Sequence, residues 1–153
     1  MNKLMIAIMI LLPVLYAPDY DSTADDKKDY ERFEALWNGI LMTESDNLHF
    51  KRWKIVSSPV GAIGIAQVMS NTFLDVVRWN KNNKQFKHLK IRHLHIKKYN
   101  LMVGKWYFSN SYFTTNRTDE TRAISSYNRG INSDIIATKY VKKVRKYASI
   151  YTR

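Results

Sequence analysis

The chain has no cysteine among its 153 residues, so neither disulfide bonds nor thiol chemistry can contribute to its fold or its activity. It also has no internal repeat at the spacing of a solenoid and no low-complexity tract, which excludes a repeat architecture. Its length and its hydrophobic content of 45% favour one compact domain with a single core.

Acidic residues are scarce, since 13 Asp and Glu stand against 25 Lys and Arg, for a formal net charge of +12. Such a balance favours a polyanionic partner, whether nucleic acid, an anionic membrane face or an acidic polymer. Part of the excess lies in the basic segment, residues 81–98, which also contains His88, His93 and His95. No carboxylate or cysteine lies nearby at ligand spacing, so we expect these histidines to be solvated and to bind no metal.

The amino terminus carries an apolar run, residues 4–17, that Pro13 interrupts. This run is too short for an ordinary membrane span and has the length of the apolar part of a secretory signal. Small residues at positions 22 and 24 offer a cleavage site after Ala24. We therefore expect residues 1–24 to be a signal peptide or a membrane anchor, and residues 25–153 to form the domain that follows it.

The spacing of apolar residues predicts a mainly helical domain. Residues 25–43 have acidic residues near their start and an apolar stripe at helical spacing. Two further helices are predicted at residues 61–80 and 100–113. A fourth helix is predicted from Thr118 to about Tyr127, with Gly130 closing it. The last predicted helix is capped by Ser133 and has an apolar stripe that includes Tyr140.

Glu44 comes three and four residues after Leu41 and Ile40, so a continuing first helix places it on or beside the apolar stripe. A glutamate there either ends the helix and turns to solvent, or lies among apolar neighbours with a raised pKa. Gln67 raises a similar question, because it is a single amide in an apolar stretch that also contains Gly61 and Gly64. It is either a helix residue that reaches solvent or an amide directed into a cleft.

Four short blocks occur in a fixed order along the chain: Glu44-Ser45, SPVGAIGIAQVM at residues 58–69, NLMVG at residues 100–104, and YNRG at residues 127–130. Taken together, they resemble the transglycosylase (SLT) domain of lytic transglycosylases, which are relatives of goose-type lysozyme. The resemblance spans roughly residues 30–150. It implies a lysozyme-like helical domain that follows the N-terminal signal or anchor.

The resemblance also implies roles for individual residues. Glu44 matches the family's single catalytic glutamate, and Asn100 and Gly104 match a mainly structural motif. The substrate-binding positions correspond to Ser58, Gln67, Met69, Tyr127 and Asn128, with Ser45 at a further polar position near the site. No cofactor and no metal ion is implied.

The implied reaction is cleavage of the β-1,4 bond between MurNAc and GlcNAc without water, which gives 1,6-anhydromuramyl products. Hydrolytic glycosidases usually have, beside the catalytic acid, a second carboxylate that acts as nucleophile or base. Asp46 is too close to Glu44 in sequence to be placed opposite it, and Asp75, Asp119 and Glu120 are not convincing partners either. The alternatives are a hydrolytic muramidase, or a catalytically weak wall-binding component of a phage or secretion apparatus.

The resemblance implies an exported enzyme of the periplasm or cell envelope whose partner is the glycan strand of peptidoglycan. A secretion, conjugation or phage apparatus is a candidate protein partner. Nucleic acid is not expected as a ligand, and membrane contact is expected only through residues 1–24 if they stay attached.

Overall fold

The computed structural model describes residues 24–45, 57–116 and 119–152. In these ranges the chain forms five α-helices: α1 (Ala24–Ser45), α2 (Ser70–Trp79), α3 (Lys97–Asn110), α4 (Glu120–Arg129) and α5 (Thr138–Ala148). A 3-10 helix (Ile91–His95) precedes α3, and a π-helical turn (Ser111–Thr115) follows it. The predicted mainly helical class is therefore confirmed, while residues 1–23 of the predicted signal or anchor lie outside the described ranges.

Helix α1 agrees with the prediction and continues two residues further, through Ser45. Glu44 therefore belongs to its last turn. The apolar stripe of α1 is buried, and Phe33 stacks on Phe108 of α3 with ring centroids 5.2 Å apart. None of the helices in the described ranges combines the length and the apolar character that crossing a membrane requires.

Helix α1 packs most extensively against α5, although the two are far apart in the sequence. Gly39 permits this close packing, because a Cβ at this position would overlap the carbonyl oxygen of Val144. The C-terminal end of α1 is thereby held against the first turns of α5.

The predicted helix over residues 61–80 is wrong in its first half, since α2 begins only at Ser70. The φ angles of Gly61, Gly64 and Gln67 are +85°, +74° and +46°, which no right-handed helix accommodates. Residues 57–68 instead form a compact loop with two isolated antiparallel bridges, in which Ile63 pairs with Ser57 and with Val68.

The last helix begins at Thr138 and not near Ser133 as predicted. The hydroxyl of Ser125 explains the delay, because it accepts from the backbone N–H of Ala137 at 2.8 Å and donates to the carbonyl of Ile135 at 3.2 Å. These bonds hold the preceding segment in a non-helical conformation against α4.

Helix α4 begins and ends close to the predicted positions. Asp119 caps it by accepting from the backbone N–H of Arg122 at 2.9 Å, whereas Thr118 lies outside the described residues. At the other end, Gly130 closes the helix with a φ of +95°, as predicted.

Candidate active site

Glu44 is covered by α5. The hydroxyl of Tyr140 donates a hydrogen bond to Glu44 Oε1 at 2.7 Å. One turn further along α5, Lys143 Nζ donates to the carbonyl of Thr43 at 3.4 Å. Tyr140 therefore fixes one of the two carboxyl oxygens of Glu44.

Burial raises the pKa of Glu44 above its ordinary value. The hydrogen bond from Tyr140 and the positive charge of Lys143 act in the opposite direction without cancelling the effect of burial. The protonated form of Glu44 therefore persists to higher pH than that of an exposed glutamate, which is the direction expected from its place on the apolar stripe. Such a group can serve as a proton donor.

Tyr140 is the residue at this site that the sequence did not single out, because its spacing assigned it only to the apolar stripe of the last helix. Burial and the charge of Glu44 raise the pKa of Tyr140 well above its ordinary value, so its hydroxyl remains a donor. One signal could have found it: a buried tyrosine hydroxyl requires a partner, and Glu44 was the candidate buried acid.

Asn100 holds the loop of residues 57–68 in place. Asn100 is 1% exposed, and its Oδ1 accepts from the backbone N–H of Ala66 at 2.9 Å. Its Nδ2 donates to the carbonyls of Ile63 at 2.8 Å and Leu94 at 3.1 Å. One buried amide therefore satisfies three backbone groups and ties the loop to the start of α3.

Tyr127 connects this loop to α4. Its hydroxyl donates to the carbonyl of Ala66 at 2.8 Å, and its ring meets Trp37 edge-on at 6.0 Å. Gly104 makes room for the contact, because a Cβ there would lie 2.7 Å from the Tyr127 hydroxyl and 2.8 Å from Ala66 Cβ. Burial and the charge of Glu44 raise the pKa of Tyr127 well above its ordinary value, so Tyr127 lies within electrostatic reach of Glu44.

The other predicted substrate-binding residues occupy different environments. The side chain of Gln67 turns back on its own loop, where Nε2 donates to the carbonyl of Gly64 at 2.7 Å. Ser58 Oγ accepts from the backbone N–H of Ala62 at 3.0 Å and so helps to form the turn that precedes Ile63. Met69 is 41% exposed, and Asn128 is exposed on the last turn of α4.

Two further polar positions have local roles. Ser45, predicted to lie near the site, is buried and donates from Oγ to the carbonyl of Leu41 at 2.7 Å. His93 Nδ1 accepts from the backbone N–H of Lys90 at 3.0 Å. Across residues 24–45, 57–116 and 119–152, no group of three or more His, Asp or Glu side chains is arranged to hold a metal ion.

A comparison with models of known protein families finds a match over most of the chain. The sequence model of the "Transglycosylase SLT domain" covers residues 24–150, which include Glu44, the loop of residues 57–68, Tyr127 and Tyr140. No curated protein and no solved structure matches the chain. Because the family match extends over most of the sequence, the chain belongs to the transglycosylase SLT domain family, the family of peptidoglycan lytic transglycosylases.

Proposed function

We propose that this protein is a lytic transglycosylase that cleaves the MurNAc–GlcNAc β-1,4 bond of peptidoglycan without water, with Glu44 as both acid and base. The observation that carries the proposal is the state of Glu44: a partly buried carboxyl with a raised pKa, one oxygen of which accepts from Tyr140 at 2.7 Å. The family match supports the substrate class.

In the first step, the protonated Glu44 transfers its proton to the glycosidic oxygen as the bond from that oxygen to C1 of the muramyl residue breaks. Oε2 is suited to this transfer, because Oε1 is already held by Tyr140. The acetamido oxygen of the muramyl residue stabilises the cation-like centre at C1, so the protein need not supply a nucleophilic carboxylate.

In the second step, the Glu44 carboxylate takes the proton from the muramyl 6-hydroxyl, whose oxygen bonds to C1 and closes the anhydro ring. Glu44 is thereby reprotonated, and no water is consumed. The hydrogen bond from Tyr140 and the charge of Lys143 favour the carboxylate during this interval. Burial favours the protonated form of Glu44, and these two groups favour its carboxylate. The opposing effects allow Glu44 to release a proton and to take one up.

We propose that Gln67, Met69 and Asn128 contact the glycan strand and that Tyr127 and Ser58 shape the surface against which it lies. The positive φ of Gln67 supports a constrained position, since strained backbone is found preferentially at ligand-binding loops. The hydrogen bond from Tyr127 to the carbonyl of Ala66 supports a positioning role, because it fixes the residue that precedes Gln67.

We further propose that the enzyme acts outside the cytoplasm, in the periplasm or cell envelope, where its substrate lies. Residues 1–24 would be the export signal or an anchor, and residues 25–153 the enzymatic domain. A wall-opening role for a secretion, conjugation or phage apparatus is compatible with a domain of this size.

The experiment that tests the proposal is incubation of the protein with purified sacculi, followed by mass spectrometry of the released muropeptides. The expected products carry 1,6-anhydromuramyl ends and vanish with Glu44→Gln, which retains an oxygen that can accept from Tyr140. Reducing ends would identify a hydrolytic muramidase and overturn the proposed chemistry. Equal release by both proteins would overturn the role of Glu44, and no release by either would indicate a wall-binding component.

A further inference from the structure

A second surface feature lies at the far end of α2 from the loop that carries Gln67. Residues 79–85 line an open hollow of about 530 Å³ immediately after the helix. Helix α2 runs from Ser70 to Trp79, which corresponds to about 14 Å along its axis at the usual rise per residue. The hollow is therefore a separate feature, and a sugar bound there is not the sugar that meets Gln67.

The walls of the hollow are held by one side-chain hydrogen bond, one backbone hydrogen bond and one buried aromatic side chain. Asn80 Nδ2 donates to the carbonyl of Val76 at 2.8 Å, and the backbone N–H of Asn83 donates to the carbonyl of Asn80 at 2.9 Å. Phe86 is fully buried and meets the ring of Trp106 edge-on at 6.2 Å. A surface fixed in this way binds a ligand with little ordering cost.

Trp79 supplies an aromatic face at the hollow. Its side chain is 48% exposed, although large aromatic residues usually bury most of their surface. Its ring lies 5.8 Å from the ring of Trp106, which supports it from one side. An exposed, supported indole offers a flat apolar platform of the kind on which the C–H face of a pyranose ring can lie.

The remaining lining residues are four amides and two lysines: Asn80, Asn82, Asn83, Gln85, Lys81 and Lys84. Amide side chains both donate and accept, which matches the hydroxyl and acetamido groups of an amino sugar. The lysines match a carboxylate, and residues 76–118 contain no Asp or Glu that would compete with it. Asn80 is the exception among these amides, because it is 2% exposed and its Nδ2 already donates to the carbonyl of Val76.

From these contacts we infer that the hollow is a second binding site for an N-acetylated, carboxylate-bearing glycan. In this site Trp79 stacks on a sugar ring and the amides bind the polar groups of the glycan. Lys81 and Lys84 bind its carboxylates. The choice of the peptidoglycan strand as this glycan rests on the proposed function. The site keeps the enzyme on the polymer while the Glu44 end acts elsewhere on it.

The test measures binding of the full chain to sacculi, with Glu44→Gln in every protein so that the polymer is not consumed. Adding Trp79→Ala should weaken binding roughly fivefold to tenfold, and Trp79→Phe should restore most of it. Tyr151→Ala is the matched control and should leave binding unchanged, because Tyr151 is 43% exposed and lies three residues after α5. Equal binding with and without Trp79→Ala would overturn the inference.

A second measurement avoids dependence on a variant that folds poorly. In the Glu44→Gln protein, the indole N–H signal of Trp79, assigned with Trp79→Phe, is followed by nuclear magnetic resonance during titration with a GlcNAc–MurNAc tetrasaccharide, which carries carboxylates. Movement of this signal supports the site, and movement of other indole signals alone overturns it. A third outcome would also overturn the inference. Lys81→Gln, Lys84→Gln and added salt would each abolish binding to sacculi, while Trp79→Ala would not. This result would indicate a surface that binds polyanions in general.

These results separate the second site from the proposed activity. Anhydromuramyl products together with Trp79-independent binding would leave the proposed function intact and remove the second site. Trp79-dependent binding without any product would remove the proposed function and leave the second site.

Discussion

Glu44 and Glu120 are both partly buried near helix ends, yet their surroundings give them opposite proton affinities. Glu44 lies in the last turn of α1 and meets the neutral hydroxyl of Tyr140, and burial raises its pKa. Glu120 lies in the first turn of α4 between two guanidinium groups. Burial would raise its pKa as well, but the hydrogen bonds from Arg32 and Arg145 outweigh burial and hold the pKa below its ordinary value.

The difference follows from the partners and from the helix ends. Arg32 donates to both Glu120 oxygens, at 2.7 and 3.0 Å, and Arg145 donates to Oε1 at 2.9 Å, so this carboxylate links α1, α4 and α5. The helix dipole favours a negative charge at the start of α4 and disfavours one at the end of α1. Two guanidinium partners therefore favour the anion of Glu120, whereas burial beside a neutral hydroxyl favours the protonated form of Glu44.

The largest effect is expected from Glu44→Gln. Loss of the proton donor should lower the rate of muropeptide release about a thousandfold, while the fold is retained because the glutamine oxygen can still accept from Tyr140. The matched control is Glu120→Gln, assayed well below its unfolding temperature, which should keep most of the activity. Similar losses in both variants would contradict the different roles given to Glu44 and Glu120.

A smaller effect is expected from Tyr140→Phe. Loss of a hydrogen bond to a charged group should lower kcat/KM roughly tenfold to a hundredfold. Because this bond favours the carboxylate, its removal raises the pKa of Glu44 further, and the pH at which activity falls on the alkaline side should move upward. Tyr147→Phe, on the same helix, serves as the control. An unchanged pH profile in Tyr140→Phe would contradict the role given to this tyrosine.

Glu120→Gln should act on stability instead. We expect the free energy of unfolding at neutral pH to fall by about 1–3 kcal/mol, because two partly exposed arginines lose their anion. A lowered pKa contributes stability that is present above the unfolded-state pKa and is lost as the pH falls through the folded-state pKa. Urea unfolding should therefore show a difference from the unsubstituted protein that disappears in acid, and a constant difference would argue against the ion cluster.

The smallest effect is the stability change of Glu44→Gln, with the opposite pH dependence. A raised pKa contributes stability that is present below the unfolded-state pKa and is lost as the pH rises through the folded-state pKa. At neutral pH the free energy of unfolding of Glu44→Gln should therefore exceed that of the unsubstituted protein by about 1 kcal/mol or less. In acid the two proteins should have the same free energy of unfolding. Thermal unfolding across this pH range measures the difference, and a gain confined to acid would contradict the raised pKa.

Periodicity predicted the parts of the fold that depend on local apolar spacing. The stripe of α1 is a clear case, since its spacing placed Glu44 on or beside the apolar face before any partner was known. The same reasoning failed for residues 61–69, where Ile65 and Val68 have helical spacing but positive φ angles at Gly64 and Gln67 prevent a helix. Apolar spacing does not report backbone conformation, so the loop was not predicted from it.

The contact between Glu44 and Tyr140 could not be predicted in the same way, because it joins residues from opposite ends of the domain. It depends on the close approach of α1 to α5 that Gly39 permits, and spacing within one helix carries no information on that approach. The ion cluster of Glu120 could not be predicted for the same reason, since both of its arginine partners lie on other helices.

The central claim, that Glu44 acts as acid and then as base without water, is tested most directly by digesting sacculi in water enriched in heavy oxygen. The account predicts muramyl ends that carry no label and are lighter by one water than hydrolytic products. The opposite result would be label at the newly formed muramyl C1, in products that disappear with Glu44→Gln. It would show that water attacks this carbon and would contradict cleavage without water.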